Sequence, residues 1–253
     1  MRIARILATL IACLAALLPA PSRAEPLRIA AAADLRFALD EILRDFRARH
    51  PGAEVEAIYG SSGKFHAQIR QGAPFDLFLS ADVELPRQLA AEGLSAGPAR
   101  TYAFGRLAIW SPGPLRPTDL RDLADPAFRR IAIANPRHAP YGRRAEEALR
   151  AAGIWDKVEP RLVLGENIAQ ATQFVQSGNA DAGILALSLV LAPGMAGTGN
   201  HALVPETLHR PLEQGFVILR RAAGNALAHR FAGDFLSAAS RRVLQRHGFT
   251  APD

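Results

Sequence analysis

The stretch Tyr59-Gly60-Ser61-Ser62-Gly63-Lys64-Phe65 sets two hydroxyls between glycines just ahead of a lysine, the residue types that cradle an anion. It is not a nucleotide loop. A P-loop keeps four residues between its glycines and a Ser or Thr after its lysine. Here only Ser61 and Ser62 separate the glycines and Phe65 follows Lys64, so no hydroxyl is placed for a magnesium ion. What remains is a polar turn leading from a strand into a helix. Three other junctions have the same character: Ala33-Asp34, Ala139-Pro140-Tyr141-Gly142 and Glu166-Asn167-Ile168. A helix start offers unpaired N–H groups and a partial positive charge, worth about 0.3–1 kcal/mol to an anion at an exposed site. Taken singly, each junction is accounted for by capping, because Asp34, Ser62 and Asn167 are favoured N-cap residues and Gly60, Gly63 and Gly142 ordinary turn residues. Two such seats in each of two lobes, facing across a cleft, would surround a small oxyanion.

Hydrolytic chemistry finds less support. No G-x-S-x-G elbow occurs, and neither Ser61 nor Ser62 has a marked His and Asp partner. The seven histidines show no H-x-H or H-x-x-x-H pairing, so His66 and His138 do not suggest a metal site. An exported hydrolase is therefore the weaker alternative class. A pure interaction protein would leave the paired seats unexplained.

The elements that must position these residues alternate. Leu27–Ala32 is a short apolar run, and from Leu35 apolar residues recur at helical spacing (Ala38, Leu39, Ile42, Leu43, Phe46) until Pro51-Gly52. The pattern repeats as strand Val55–Tyr59 with helix Lys64–Gln71 and strand Leu77–Ser80 with helix Glu84–Glu92. After a strand at Arg106–Trp110 and the breakers Pro112, Pro114 and Pro117, a second set follows. It pairs Ile131–Ala134 with Arg143–Ala152, Arg161–Leu164 with Ile168–Ser177, and Ala182–Ala186 with a short helix. Phe216–Leu219 returns as a strand and Ala226–His247 closes the chain as a helix. This is α/β with mostly parallel sheets flanked by helices. Two lobes are expected, lobe 1 from residues 25–104 and 217–253 and lobe 2 from 105–216, with hinge segments near 104–111 and 213–220. In such sheets ligands sit beyond the carboxyl ends of the strands, where the four junctions lie.

Residues 1–24 have the three parts of a secretory signal: Arg2 and Arg5, the apolar run Ile6–Leu18, and Ser22-Arg23-Ala24 before Glu25. The run is too short to span a bilayer. Cys13 is only faintly placed for lipidation, and cleavage after Ala24 leaves a chain of 229 residues without cysteine. Export without disulfides suits a bacterial periplasm. Removing Arg2, Arg5 and Arg23 lowers the formal charge from +6 to +3, 27 basic residues against 24 acidic. That is an ordinary solvated surface, with no basic stripe for nucleic acid.

With these residues in place the chain resembles the periplasmic molybdate-binding proteins of ABC transporters, which have the type II periplasmic binding protein fold. The likeness is carried by AAADLRFAL (31–39), YGSSGKFHAQIRQGAPFDLFLSAD (59–82), YAFGRLAIWS (102–111), IAIANPRHAPYG (131–142) and GENIAQATQFVQSGNADAGILALS (165–188), which run in order over nearly the whole mature chain. The resemblance implies a monomeric, non-enzymatic receptor with no cofactor. It would hold molybdate or tungstate through hydroxyls and backbone N–H groups and deliver it to an inner-membrane permease. Carried over by position, the ligand contacts are Asp34 and Ser62 in lobe 1 and Tyr141 and Ile168 in lobe 2, with Ala33, Ser61, Gly63 and Asn167 as further candidates.

The chain departs from the family at two places. Ala186 stands where many members carry tyrosine, and Tyr141 is expected to fill the space. Asp34 stands where the family has Ser or Asn. An ionised carboxylate about 4 Å from a unit negative charge is repelled by roughly 4 kcal/mol at an effective dielectric near 20. Asp34 is expected to escape this by capping its own helix. The alternatives are neutralisation by Lys64 and a ligand O–H that the carboxylate accepts, which would favour phosphate or a phosphonate.

Overall fold

The structure is a computed structural model and describes residues 26–252. The signal sequence expected over 1–24, with Cys13, lies outside the described residues. Lobe 1 opens with β1 (Leu27–Ala32), whose end passes through a 3-10 turn (Ala33–Leu35) into α1 (Arg36–Arg49). It continues with β2 (Val55–Gly60), α2 (Ser62–Arg70), β3 (Leu77–Ser80), α3 (Glu84–Ala91) and β4 (Arg100–Gly105). Lobe 2 contains β5 (Leu107–Ser111), β6 (Ile131–Ala134), α4 (Pro140–Ala151), α5 (Trp155–Val158), β7 (Leu162–Gly165), α6 (Ile168–Gln176), β8 (Ala182–Ala186), α7 (Leu187–Val190) and β9 (Asn200–Leu203). The chain then returns to lobe 1 as β10 (Leu212–Ile218), α8 (Ala226–Phe235) and α9 (Ala238–Arg246).

Each lobe is built on a five-stranded sheet, in the order β2-β1-β3-β10-β4 and β7-β6-β8-β5-β9. Three strands at one side of each sheet run parallel, and the crossing strand, β10 or β5, is antiparallel to both its neighbours. Four of five strands therefore share a direction in each sheet. Register then sets the site. Ala32 of β1 lies level with Gly60 of β2, and Ala134 of β6 with Gly165 of β7, so the turns that follow emerge side by side at the same edge of each sheet.

The sheet of lobe 1 is covered on both faces, and the alternation of β1 shows why. Ile29 and Ala31 pack with Phe46 and Phe231 of α1 and α8, while Ala30 faces Phe65, Ile69 and Leu89 of α2 and α3. Burial on both faces explains the near-continuous apolar run that the sequence shows there. Lobe 2 has one large core that joins its strands to α4 and α6.

Several boundaries differ from expectation. The strands β4 and β9 lack an apolar run in the sequence, since β4 is half-exposed at several positions and β9 alternates at an edge. The closing helix over 226–247 is two helices, because Ser237 accepts a hydrogen bond from the Ser240 N–H and restarts the chain as α9. Helix α4 begins at Pro140, three residues before the expected Arg143, since proline fits the first helical position. Strand β10 already belongs to the sheet of lobe 1 at Leu212, so the lobe boundary expected at 216 falls inside a strand. The chain passes from the first sheet to the second between Gly105 and Leu107 and returns between Leu203 and Leu212.

Candidate functional site

The four turns converge on one small pocket. A small pocket of about 10 Å3 is lined from lobe 1 by Ala33, Asp34, Ser61, Ser62 and Ala81, and from lobe 2 by Ala139, Tyr141, Asn167 and Ile168 among others. None of its lining residues is Lys, Arg or His. Attraction for an anion must come from N–H groups and hydroxyls.

Local sequence decides which donors are free. Ser61, not Ser62, stands at the cap position of α2, and its side chain does not cap. Ser62 is the first helical residue, and its Oγ accepts the Ala81 N–H at 3.0 Å, which leaves its own proton free for another acceptor. In α4 Pro140 has no N–H, so the first amide of that helix is Tyr141's. In α6 the Asn167 side chain caps the Ala169 and Gln170 N–H groups at 3.0 Å each, which leaves Ile168 with an amide that has no partner within the helix. Asn167 thus acts as a cap and also lines the cavity.

Two expected anion contacts are engaged elsewhere. The Ser61 hydroxyl donates to the His138 carbonyl at 2.7 Å and lies 3.0 Å from its Nδ1, and the Gly63 N–H donates to the same carbonyl at 3.0 Å. Both contacts cross the cleft. A Cβ on Gly63 would stand 2.3 Å from that oxygen, so this approach requires glycine. Further bridges are Ser188 Oγ to the Asp34 carbonyl (2.8 Å), Arg143 to Asp82 (2.9 Å) and the Lys64–Glu166 ion pair. The lobes are closed on each other.

Asp34 departs from its expected role. Ala32 stands at the cap position with no side chain capping, and Lys64 is paired with Glu166, so neither capping nor Lys64 relieves the carboxylate. Asp34 is buried, 1% exposed, and its Oδ2 accepts the Gln214 amide at 2.6 Å. That amide also reaches the Tyr141 hydroxyl at 3.3 Å, and Gln214 Oε1 accepts from the Tyr102 hydroxyl at 2.6 Å. Burial pushes the Asp34 carboxyl up to about 6, against the pull of Gln214, Tyr141 and the adjacent backbone N–H groups. Burial first, then the charge of Asp34, holds the Tyr141 and Tyr102 phenols well above their ordinary range. Gly105 makes room for this cluster: a Cβ there would meet the Tyr141 hydroxyl at 2.2 Å and the Gln214 amide at 2.7 Å.

Gln214, Tyr102, Ser188 and Gly105 escaped sequence reasoning. Gln214 sits between Glu213 and Gly215 and its burial appears only in the fold, where a buried amide demands partners.

A two-lobed fold with a closed cleft and donors at the strand ends fits a solute-binding class. Residues 27–250 match the family described as bacterial extracellular solute-binding protein, and the chain belongs to that family. It is 37% identical over 199 residues to the molybdate-binding protein ModA of Rhodobacter capsulatus, covering 78% of each chain. With ModA of Azotobacter vinelandii it shares 36% identity over 237 residues, 93% of this chain and 94% of the other. The solved periplasmic molybdate-binding protein of Azotobacter vinelandii superposes with a TM-score of 0.85 at 32% identity, covering 90% of this chain and 100% of that one. The fold is the two-lobe type II periplasmic binding protein fold.

Proposed function

We propose that the protein is the periplasmic receptor of an ABC importer and binds molybdate or tungstate between its lobes. The observation that carries the reading is the small pocket between the lobes, lined from both by backbone amides and a hydroxyl and by no cationic side chain. A full counter-charge would bind any anion, where fixed dipoles reward one size and shape. That these relatives are molybdate-binding proteins supports the ion.

Ser62 donates its hydroxyl and amide from lobe 1, Asp34 and Ala33 complete that side, and the Tyr141 and Ile168 amides close from lobe 2. Bending at the two crossings opens and shuts the cleft, and the shut form, a monomer, is the one presented to an inner-membrane permease. Cleavage of the segment over 1–24 delivers the chain to the periplasm. The receptor carries no cofactor and performs no covalent chemistry.

Titration calorimetry with molybdate, tungstate, sulfate, phosphate and a phosphonate tests the reading. Tight binding of the first two is expected, with weak or absent binding of sulfate, whose shorter bonds leave it undersized. Preference for phosphate would replace the assignment with a receptor whose Asp34 accepts a ligand O–H.

A further inference from the structure

Asp34 is an acid placed where an anion is to bind. Its Oδ2 is satisfied by Gln214, but its Oδ1 is buried and has no hydrogen-bond partner, and the residue lines the cavity. The groups that face it are neutral: Gln214 from β10, Tyr102 from β4, Tyr141 from α4 and Ser188 from α7. Lys64 is paired with Glu166 and Arg143 with Asp82, and Arg36 lies over the Tyr59 ring. His138, at the rim, is held to Ser61 and stands 3.7 Å from Glu166. Among the described residues no positive charge is shown to offset a carboxylate here when a dianion arrives.

We propose, resting on the oxyanion-receptor reading, that Asp34 is protonated in the closed complex, so that each captured dianion brings one proton into the protein. The proton sits on Oδ1 and is donated to a ligand oxygen. Oδ2 keeps the Gln214 amide, which a neutral acid's carbonyl oxygen accepts as well as a carboxylate does. The acid then acts as a donor beside Ser62 and removes one unit of repulsion. Burial, already enough to lift the empty carboxyl to about 6, works in the same direction, and the ligand's charge raises it further. Asp34 is in this sense a specificity residue: it admits a fully deprotonated dianion only together with a proton, and affinity falls as pH rises.

The test is calorimetric titration of the full mature protein with molybdate at pH 8 in buffers of different ionisation enthalpy, repeated from pH 6 to 9. Uptake near one proton per ion is expected, with the dissociation constant rising about tenfold per pH unit above the carboxyl's range in the empty protein. In Asp34→Asn, whose amide supplies an N–H donor, uptake falls to zero and the affinity becomes flat with pH. Infrared difference spectra on adding molybdate should show a protonated carboxyl band that the variant lacks. Molybdate binding without proton uptake overturns this inference and leaves the receptor reading standing. Uptake that persists in Asp34→Asn places the proton on the ligand and likewise overturns it. A folded protein that binds no oxyanion overturns both.

Discussion

Ser62 and Asp34 show how single atoms set the behaviour of the site. The Ser62 Oγ accepts a buried amide from Ala81, so Ser62→Ala removes a donor from the ligand and orphans a backbone N–H at once. The expected result is roughly 10- to 100-fold weaker oxyanion binding with about 1 kcal/mol lost from the empty fold. Calorimetric titration and thermal melts measure the two parts separately. A large fold loss with unchanged affinity would assign Ser62 to structure alone. Asp34 makes a prediction in pH. Its folded value of about 6 lies above its ordinary 3.8, so the closed protein holds the proton more tightly than the unfolded chain. The stabilising proton is fully bound below about 4, and stability is lost as pH climbs through about 6. The loss reaches at most about 3 kcal/mol, less if the cleft opens and wets the carboxylate. Asp34→Asn should therefore melt close to the parent at pH 4 and above it at pH 7 to 8, as read by scanning calorimetry. An equal difference at both pH values would mean that the carboxylate is not buried in solution.

At the scale of elements, glycine at the start of α2 controls how closely the lobes approach. Gly63 donates to the His138 carbonyl, and a methyl group at that position would collide with the same oxygen. Gly63→Ala should leave each lobe folded and its melting temperature within a few degrees, while weakening binding at least tenfold because the cleft cannot shut. Small-angle scattering with saturating molybdate checks the cause, and the variant is expected to show less compaction than the parent. Normal compaction with weak binding would point to the amide itself as a ligand contact. The helix starts differ in how legible they are. The Asn167 cap follows from residue type and spacing, and α6 begins at Ile168 where expected. Asp34 fits the same pattern by type, yet its Oδ2 accepts from a long-range amide, Gln214, that no local pattern could announce.

For the whole molecule, closure rests on a few contacts between lobes. The Lys64–Glu166 pair is about half exposed on each side chain, and solvent screening keeps its contribution small. Lys64→Ala should speed ligand release roughly 2- to 5-fold at low ionic strength, with the difference vanishing at high salt. Stopped-flow release measured at two salt concentrations reads this, and a salt-independent effect would assign Lys64 to the pocket rather than the latch. Asp82 and Arg143 form a second bridge, so loss of either pair alone leaves the cleft able to shut.

Strand and helix alternation, the two-lobe plan and the four polar junctions could be read from the chain because each depends on neighbours within a turn or a strand. Hydrophobic period marks a helix wherever it lies, and a cap residue acts on amides two or three positions away, as Asn167 does. The resemblance carried over Asp34, Ser62, Tyr141 and Ile168, and the fold sets all four around one cavity. Other features required the fold. The edge strand β9 and the early start of β10 depend on partners far along the chain. Asp34 meets Gln214 across 180 residues and Ser188 across 154, distances over which sequence carries no local signal. Sequence alone could identify Asp34 as a charge in an awkward place. Only tertiary packing decided that nothing positive comes to meet it, because the solvation and partners of a buried carboxyl are set by the groups that folding brings around it.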